Sequence, residues 1–294
     1  MSSPRPHGGP ASGGWTRLEA PAKLTLSLRV TGVRDDGYHL LEAEMVTVDL
    51  VDTLEIGPGD GLSVVGPANG RCTVGTADAL EVVGQADALE VVGTADGISA
   101  AWVTGAPVPA DGTNLVNRAL RALGRQARVR LTKRIPAGAG LGGGSADAAA
   151  VLRWGGCQDL MIAAGLGGDV PFCLVGGRAL VSGIGEQVEP IPLAELGDQA
   201  FTLLTPRLSV STAEVYRAWD RLGGPRGEHD NDLEPAALEV EPRLAVWRDR
   251  LGELTGEEPR LAGSGSTWWV PGEHRGEGLV VVRSYPAPPP RPAV

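Results

Sequence analysis

The segment Pro136-Ala-Gly138-Ala-Gly140-Leu141-Gly142-Gly143-Gly144-Ser145 constrains this chain more than any other. Five glycines fall within seven residues, and an alanine-rich run, Ala146 to Ala150, follows at once. Glycine admits positive φ and lets other groups approach the backbone closely. The first turn of a helix offers N–H groups without intrahelical partners and a positive partial charge. A strand, such a loop and a helix start in succession suit the holding of phosphate oxygens. A flexible linker would not run straight from a strand into an apolar helix. Two common phosphate loops do not fit. A Walker A loop needs lysine before its Ser/Thr, and here Gly144 precedes Ser145. Gly138-x-Gly140-x-x-Gly143 has dinucleotide spacing, with Asp159 at about the right distance. That fold, however, starts from a nearly continuous apolar strand. Arg128, Arg130, Lys133 and Arg134 interrupt the strand here.

The rest of the chain reads as strands with helices interspersed, an α+β pattern and not a strict βαβ rhythm. From Ala22 to Val30, Leu24, Leu26, Leu28 and Val30 alternate with Lys23, Thr25, Ser27 and Arg29. That period of two predicts a half-buried strand with Lys23 on its polar face. Asp35-Asp36-Gly37 supplies a turn. Val46, Val48, Leu50, Leu54 and Ile56 then continue in phase. The two runs predict an antiparallel pair joined by a longish loop. Helices are predicted from Asn114, with Val116, Ala119, Leu120 and Leu123 inward, and over Ser145–Trp154 and Gln158–Leu166. Ser211-Thr-Ala-Glu214 is a capping box opening a helix with Tyr216, Trp219 and Leu222 inward. Leu244, Trp247, Leu251 and Leu254 mark another helix, and 268–270 and 279–282 read as strands. Gly75-Thr-Ala-Asp-Ala-Leu-Glu-Val-Val83 repeats as Gly84 to Val92 and begins again at Gly93. Two and a half copies are too few for a solenoid, so a duplicated surface hairpin or loop is expected.

Composition removes several functions. Acidic residues (36) outnumber basic ones (26), which argues against a nucleic-acid partner, since that needs clustered cations. No apolar run reaches the roughly 18 residues that span a bilayer, so no membrane role is expected. Met1 to Gly14 has no apolar core of a signal peptide. Cys72, Cys157 and Cys173 show no CxxC spacing and read as reduced thiols of a cytoplasmic protein. His7, His229 and His274 share no metal spacing and are expected at the surface.

At the glycine loop the sequence resembles the GHMP kinases, and further blocks extend the likeness in family order from about residue 18 to 282. They are Ala20-Pro-Ala-Lys23-Leu-Thr25-Leu, Asp36-Gly-Tyr38-His39, Gly168-Asp169-Val-Pro-Phe172, Val210 to Tyr216, Asn231 to Ala237, and Gly263-Ser264-Gly265. The resemblance implies an N-terminal ATP-binding domain over 15–191, similar to the ribosomal S5 domain 2-like fold. It implies a ferredoxin-like C-terminal domain over 192–284. The ends, 1–14 and 285–294, read as tails.

The implied reaction is ATP-dependent phosphorylation of the tertiary 2-hydroxyl of a cytidylyl methylerythritol in non-mevalonate isoprenoid synthesis. The implied cofactor is ATP with Mg2+, and the partners are these small molecules. By the same likeness, Pro136, Gly138, Gly140, Leu141, Gly142, Gly143, Gly144 and Ser145 hold ATP. Asp169 takes the hydroxyl proton, and Lys23 keeps Asp169 ionised and steadies the phosphoryl group. Thr25, Tyr38, His39, Gly263, Ser264 and Gly265 face the substrate, with Tyr38 and His39 on the cytosine. Asp147 is a candidate magnesium ligand, although the metal ligands as a set stay unknown. Another GHMP small-molecule kinase, or a silent nucleotide-binding relative, is the alternative.

The chain departs from the family at three places. Thr25 stands where the family usually has Asn. Ser266 takes a usual Pro position. Only 24 positions separate Ser145 from Asp169, fewer than is usual, with Gly155-Gly156 at the shortened point.

Overall fold

The computed structural model describes residues 14–65, 73–76, 79–80, 111–192 and 199–287. Two long strands organise it, β1 (Thr16–Val33) and β2 (His39–Gly57). They pair antiparallel along nearly their whole length. The turn between them is tight: Arg34 N–H donates to the Tyr38 carbonyl at 2.8 Å and Gly37 N–H to the Arg34 carbonyl at 2.9 Å. The expected antiparallel pair is therefore present, with a shorter connection than the sequence suggested.

Short strands complete this first sheet: β3 (Gly61–Val65), β4 (Thr73–Thr76), β5 (Ala79–Leu80), β6 (Arg128–Thr132), β7 (Arg178–Gly183) and β8 (Gln187–Ile191). The order is β5-β4-β3-β6-β2-β7-β8, with β1 on the other edge of β2. β2 serves two partners on that side: 53–57 pair with β6 and 41–46 with β7. Most of the nonapeptide repeat, and Cys72 and His7, lie outside the described residues.

Four helices follow from the predicted patterns or sit between them. Asn114 caps α1 (Leu115–Ala122), its side chain accepting from Val116 N–H at 2.8 Å. α2 (Gly143–Trp154) begins two residues before its predicted start, inside the glycine run. α3 (Leu160–Leu166) is capped by Asp159, and α4 (Val170–Val175) starts at Asp169-Val-Pro171. Ala146 through Leu152 are all buried. A helix apolar all round belongs inside, and alanine lets α2 approach both long strands closely.

The second sheet has four strands, β9 (Ala200–Leu204), β10 (Arg260–Leu261), β11 (Trp268–Pro271) and β12 (Leu279–Arg283), in the order β10-β11-β9-β12. Between β9 and β10 run α5 (Thr212–Arg221), α6 (Glu234–Val240) and α7 (Leu244–Thr255). Numbered by chain order, these strands read 2-3-1-4, the order of a ferredoxin-like sheet. The β-α-β-β-α-β unit carries a second helix before its last strand. Here 272–278 connects β11 to β12 without one. Gly272, Gly276 and Gly278 and the absence of apolar residues leave nothing for a helix to bury.

Two expected inward residues face out. Leu222 and Leu254 are exposed, while Val215, Ala218, Leu244 and Leu251 form the buried faces of α5 and α7. Both outward residues sit at a helix's C-terminal end, where the turn runs past the core. The histidines also differ from a bare surface reading. His229 lies between Glu234 (3.3 Å) and Glu258 (2.9 Å) and is mostly buried. The two carboxylates outweigh its burial and raise its pKa. His274 N–H donates to Thr202 Oγ1 at 2.9 Å. Cys157 and Cys173 are free thiols, and burial together with the Asp169 charge pushes Cys173 up to about 12.

Candidate active site

Lys23 and Thr25 leave the face of β1 opposite Leu24, as the alternation requires. That face is not open to water. The glycine loop lies over it, and Lys23 is only 4% exposed. Lys23 N–H donates to the Leu141 carbonyl at 3.1 Å, stitching loop to strand. A Cβ at Gly142 would come within 2.7 Å of Lys23 Cγ, and Gly142 has φ +67°. A side chain there would displace the lysine stem, which gives this glycine its reason. Lys23 Nζ donates to Thr25 Oγ1 at 3.0 Å and lies 3.5 Å from Asp169 Oδ2. Asp169 is brought in by the turn before α4, 146 positions downstream in sequence; its side chain is 36% exposed, so one side of it faces the cleft.

Gly142, in the left-handed region, opens α2 without a side-chain cap. The first loop-to-helix bond is Ala146 N–H to the Gly142 carbonyl at 2.8 Å. The amides of Gly143, Gly144 and Ser145 precede it. These three donors point away from the helix body at its positive end, directly after Gly142, whose backbone lies against the Lys23 stem.

The loop at 263–265 closes the third side. A Cβ at Gly263 would sit 3.4 Å from Lys23 Nζ and 3.6 Å from Thr25 Oγ1. A Cβ at Gly140 would meet the Ala262 carbonyl at 2.2 Å, so the two glycine loops touch backbone to backbone. Asn231 holds this arrangement. Its side-chain amide donates to the carbonyls of Leu261 (2.9 Å) and Gly263 (2.7 Å), and its oxygen accepts from Leu233 N–H. Ser264 Oγ bonds Thr212 Oγ1 at 2.8 Å, tying the loop to the first residue of α5. Ser266 Oγ donates to the Leu208 carbonyl at 2.7 Å.

Tyr38 and His39 stand at the turn of the β1–β2 hairpin. Tyr38 is 60% exposed. The His39 ring packs against Tyr216 at 4.6 Å and edge-on to Trp219 at 5.6 Å, and its Nε2 lies 2.8 Å from Asp220 Oδ1. Burial, with the nearby Asp169 charge, pushes the Tyr216 phenol up to about 12. The aromatic cluster thus borders the Lys23–Asp169 pair.

A second lysine lies beneath the loop, which the sequence reading did not single out. Lys133 pairs with Asp52 and, at 2.8 Å, with Asp147. Asp52 Oδ1 also accepts from Arg134 N–H and, at 2.8 Å, from Ile135 N–H, fastening the strand that leads into the glycines. Burial alone would lower the Lys133 pKa, but the two carboxylates outweigh it and raise it. Asp147 is fully buried and its Oδ1 has no hydrogen-bond partner. Burial pushes its pKa up to about 7, against the pull of Lys133. Asp147, the candidate magnesium ligand, is thus buried and engaged by Lys133. Among the described residues, no group of three His, Cys, Asp or Glu could hold a metal ion.

A glycine-loop helix start, a buried lysine and a one-third exposed aspartate are what a phosphotransferase site would need. Residues 114–177 match the model of the GHMP kinases N terminal domain. A 4-diphosphocytidyl-2-C-methyl-D-erythritol kinase from Paramagnetospirillum magneticum is 34% identical over 286 residues, covering 85% of this chain and 86% of the relative. Another so named, from Paracoccus denitrificans, is 35% identical over 270 residues and covers 85% of each. A crystal structure of 4-(cytidine 5'-diphospho)-2C-methyl-D-erythritol kinase superposes with a TM-score of 0.60 at 28% identity, over 92% of this chain and all of that one. The chain belongs to the GHMP kinase family and, within it, to the 4-diphosphocytidyl-2-C-methyl-D-erythritol kinases.

Proposed function

We propose that this chain transfers the γ-phosphoryl group of ATP to the 2-hydroxyl of 4-diphosphocytidyl-2-C-methyl-D-erythritol, with Lys23 and Asp169 as its catalytic residues. The observation that carries the assignment is the pair itself: Lys23 Nζ and Asp169 Oδ2 lie 3.5 Å apart where the two glycine loops meet. Phosphoryl transfer needs positioning and charge stabilisation more than covalent help. The amides of Gly143, Gly144 and Ser145 hold phosphate oxygens. Pro136, Gly138, Gly140 and Leu141 give the loop its path. Asp169 accepts the hydroxyl proton as the new P–O bond forms and the β–γ bridge breaks to release ADP. Lys23 pairs with Asp169 and offsets charge on the transferring group.

Thr25 and the 263–265 loop bound the alcohol. Tyr38 and His39 receive the cytosine, an aromatic face beside a ring with donor and acceptor edges. Residues 15–191 supply the ATP loop and the catalytic pair in this reading, and 192–284 supply the closing loop and α5. The free thiols of Cys157 and Cys173 fit a cytoplasmic site of action. Magnesium travels with ATP phosphates and is commonly held by them with only one or two protein oxygens. With Asp147 paired to Lys133, no group of three His, Cys, Asp or Glu among the described residues forms a cage for it.

Incubating the protein with ATP, magnesium and the cytidylyl methylerythritol tests the reading. The expected product is a phosphate monoester on the tertiary carbon, visible by phosphorus NMR. ATP turnover only with a different alcohol would move the substrate assignment, and binding of ATP without any turnover would make the chain a silent relative.

A further inference from the structure

α5 is fixed at both ends. Thr212 at its start bonds Ser264 of the closing loop. Asp220 near its end reaches His39, 181 positions away in sequence and at the first residue of β2. Thr212, Tyr216 and Asp220 recur every four residues, so they share one face of the helix. That face looks at the hairpin turn carrying Tyr38 and His39, while Val215 and Ala218 on the other side are buried. The His39 ring fills the gap, packed by Tyr216 and Trp219 and hydrogen-bonded by Asp220.

We propose that Asp220 is a positioning residue for the base-binding end of the cleft: through His39 it clamps α5 to the β1–β2 hairpin and so fixes where Tyr216 stands relative to Tyr38. The assignment rests on reading Tyr38 and His39 as base contacts. Asp220 is half exposed, at 48%. An ion pair or hydrogen bond so placed adds little to global stability. Its consequence is geometric. It joins α5 to the rim of the first sheet through His39, one helical turn beyond Tyr216, and no contact of Asp220 with Lys23, Asp169 or the glycine loop is part of it. Loosening it should widen the base end of the cleft and leave the phosphoryl end as it is.

Steady-state kinetics of Asp220→Ala and Asp220→Asn, with both substrates varied, test this. In Asp220→Ala the KM for the cytidylyl methylerythritol should rise about tenfold, the order expected for losing one hydrogen bond to a charged group. Its kcat and its KM for ATP should stay within about twofold, inside the few-tenths error of such comparisons. Asp220→Asn keeps an acceptor for the imidazole N–H and should recover most of the loss. An unchanged KM in Asp220→Ala, an equal fall in kcat, or an Asn variant as poor as the Ala variant would each overturn the role. Amide hydrogen exchange of the unliganded protein gives a readout independent of substrate: the last turn of α5, 217–222, should exchange faster in Asp220→Ala, and unchanged rates would overturn the clamp. Wild-type protein that fails to use the cytidylyl substrate would instead overturn the substrate assignment, leaving the exchange result to decide the clamp.

Discussion

Two lysines flank the glycine loop, and their surroundings differ in one respect that separates chemistry from architecture. Lys23 lies above β1 with a single carboxylate, Asp169, 3.5 Å away and 36% exposed. Lys133 lies below the loop between Asp52 and Asp147, both sealed from water. A Cβ at Gly143 would come within 3.1 Å of Lys133 Nζ and one at Gly142 within 2.7 Å of Lys23 Cγ, so both lysine side chains lie against the same loop. The first pair is open on the side where a substrate would arrive, and its carboxylate can exchange a proton with it. The second is closed, and its charges can only hold strand, loop and helix together. Solvent access to the carboxylate, more than burial of the lysine, is what singles out Lys23 and Asp169 as the pair proposed to do the chemistry.

Substitutions can break this contrast. The largest effect is expected for Asp169→Asn, which should lower kcat by ~10²–10⁴-fold, the range of a positioned general base, while thermal unfolding stays within about 1 kcal/mol. Lys23→Met should likewise lose activity with little loss of stability, because a one-third exposed Asp169 can be hydrated. Measured turnover in either variant near that of the wild type would reassign the pair.

Lys133→Met should behave in the opposite sense. It strands two buried carboxylates and should cost roughly 3–5 kcal/mol in urea unfolding. Adding Asp147→Asn should return part of that loss; no recovery would mean that the two residues are not coupled. Gly140→Ala should cost about 2–4 kcal/mol, since a Cβ there is strained at positive φ and meets the Ala262 carbonyl. It should also raise the KM for ATP, whereas Gly124→Ala, whose Cβ meets nothing within 4 Å, should spare ATP affinity.

The most gradual effect is a pH dependence. Asp147 has a folded pKa raised to about 7 from 3.8. The folded state therefore holds its proton when the unfolded state has released it. The stability this contributes is complete below about pH 4 and is lost as pH rises to about 7. The unfolding free energy of Asp147→Asn should gain on that of the wild type across that window, by no more than ~1.4 kcal/mol per pH unit, and level off above it. A difference constant with pH would show that Asp147 is ionised throughout, as a simple partner of Lys133.

The contrast was partly legible beforehand. Along β2, Val46, Val48, Leu50, Leu54 and Ile56 share one phase, and the position missing from that series is Asp52. Along β6 and beyond, Val129, Leu131 and Ile135 share a phase with Lys133. A charge in step with an apolar run must enter the core, so this pair could have been found from spacing alone. Lys23 is out of step with Leu24, Leu26 and Leu28, and so belongs to the other face. What that face meets was not legible: period two places a side chain on a side, and does not say whether water or a glycine loop lies there.

The glycine run, the strand alternation and the helix starts at Asn114 and Ser211 come from interactions within a few residues, and the sequence alone determined them. So did the kinase resemblance, since it rests on short blocks in order. The strands β7, β8 and β9 lacked a clear signal of their own and took shape from their pairing with β2 and β11. Only the tertiary structure decided that Asp169 meets Lys23, that Asn231 holds the closing loop, that Asp147 turns inward, and that Asp220 reaches His39. Each of those contacts joins residues far apart in the chain or depends on what packs above them. No local rule of dihedral angle, propensity or period carries that information; it follows from how the two sheets and their helices bury their apolar faces together.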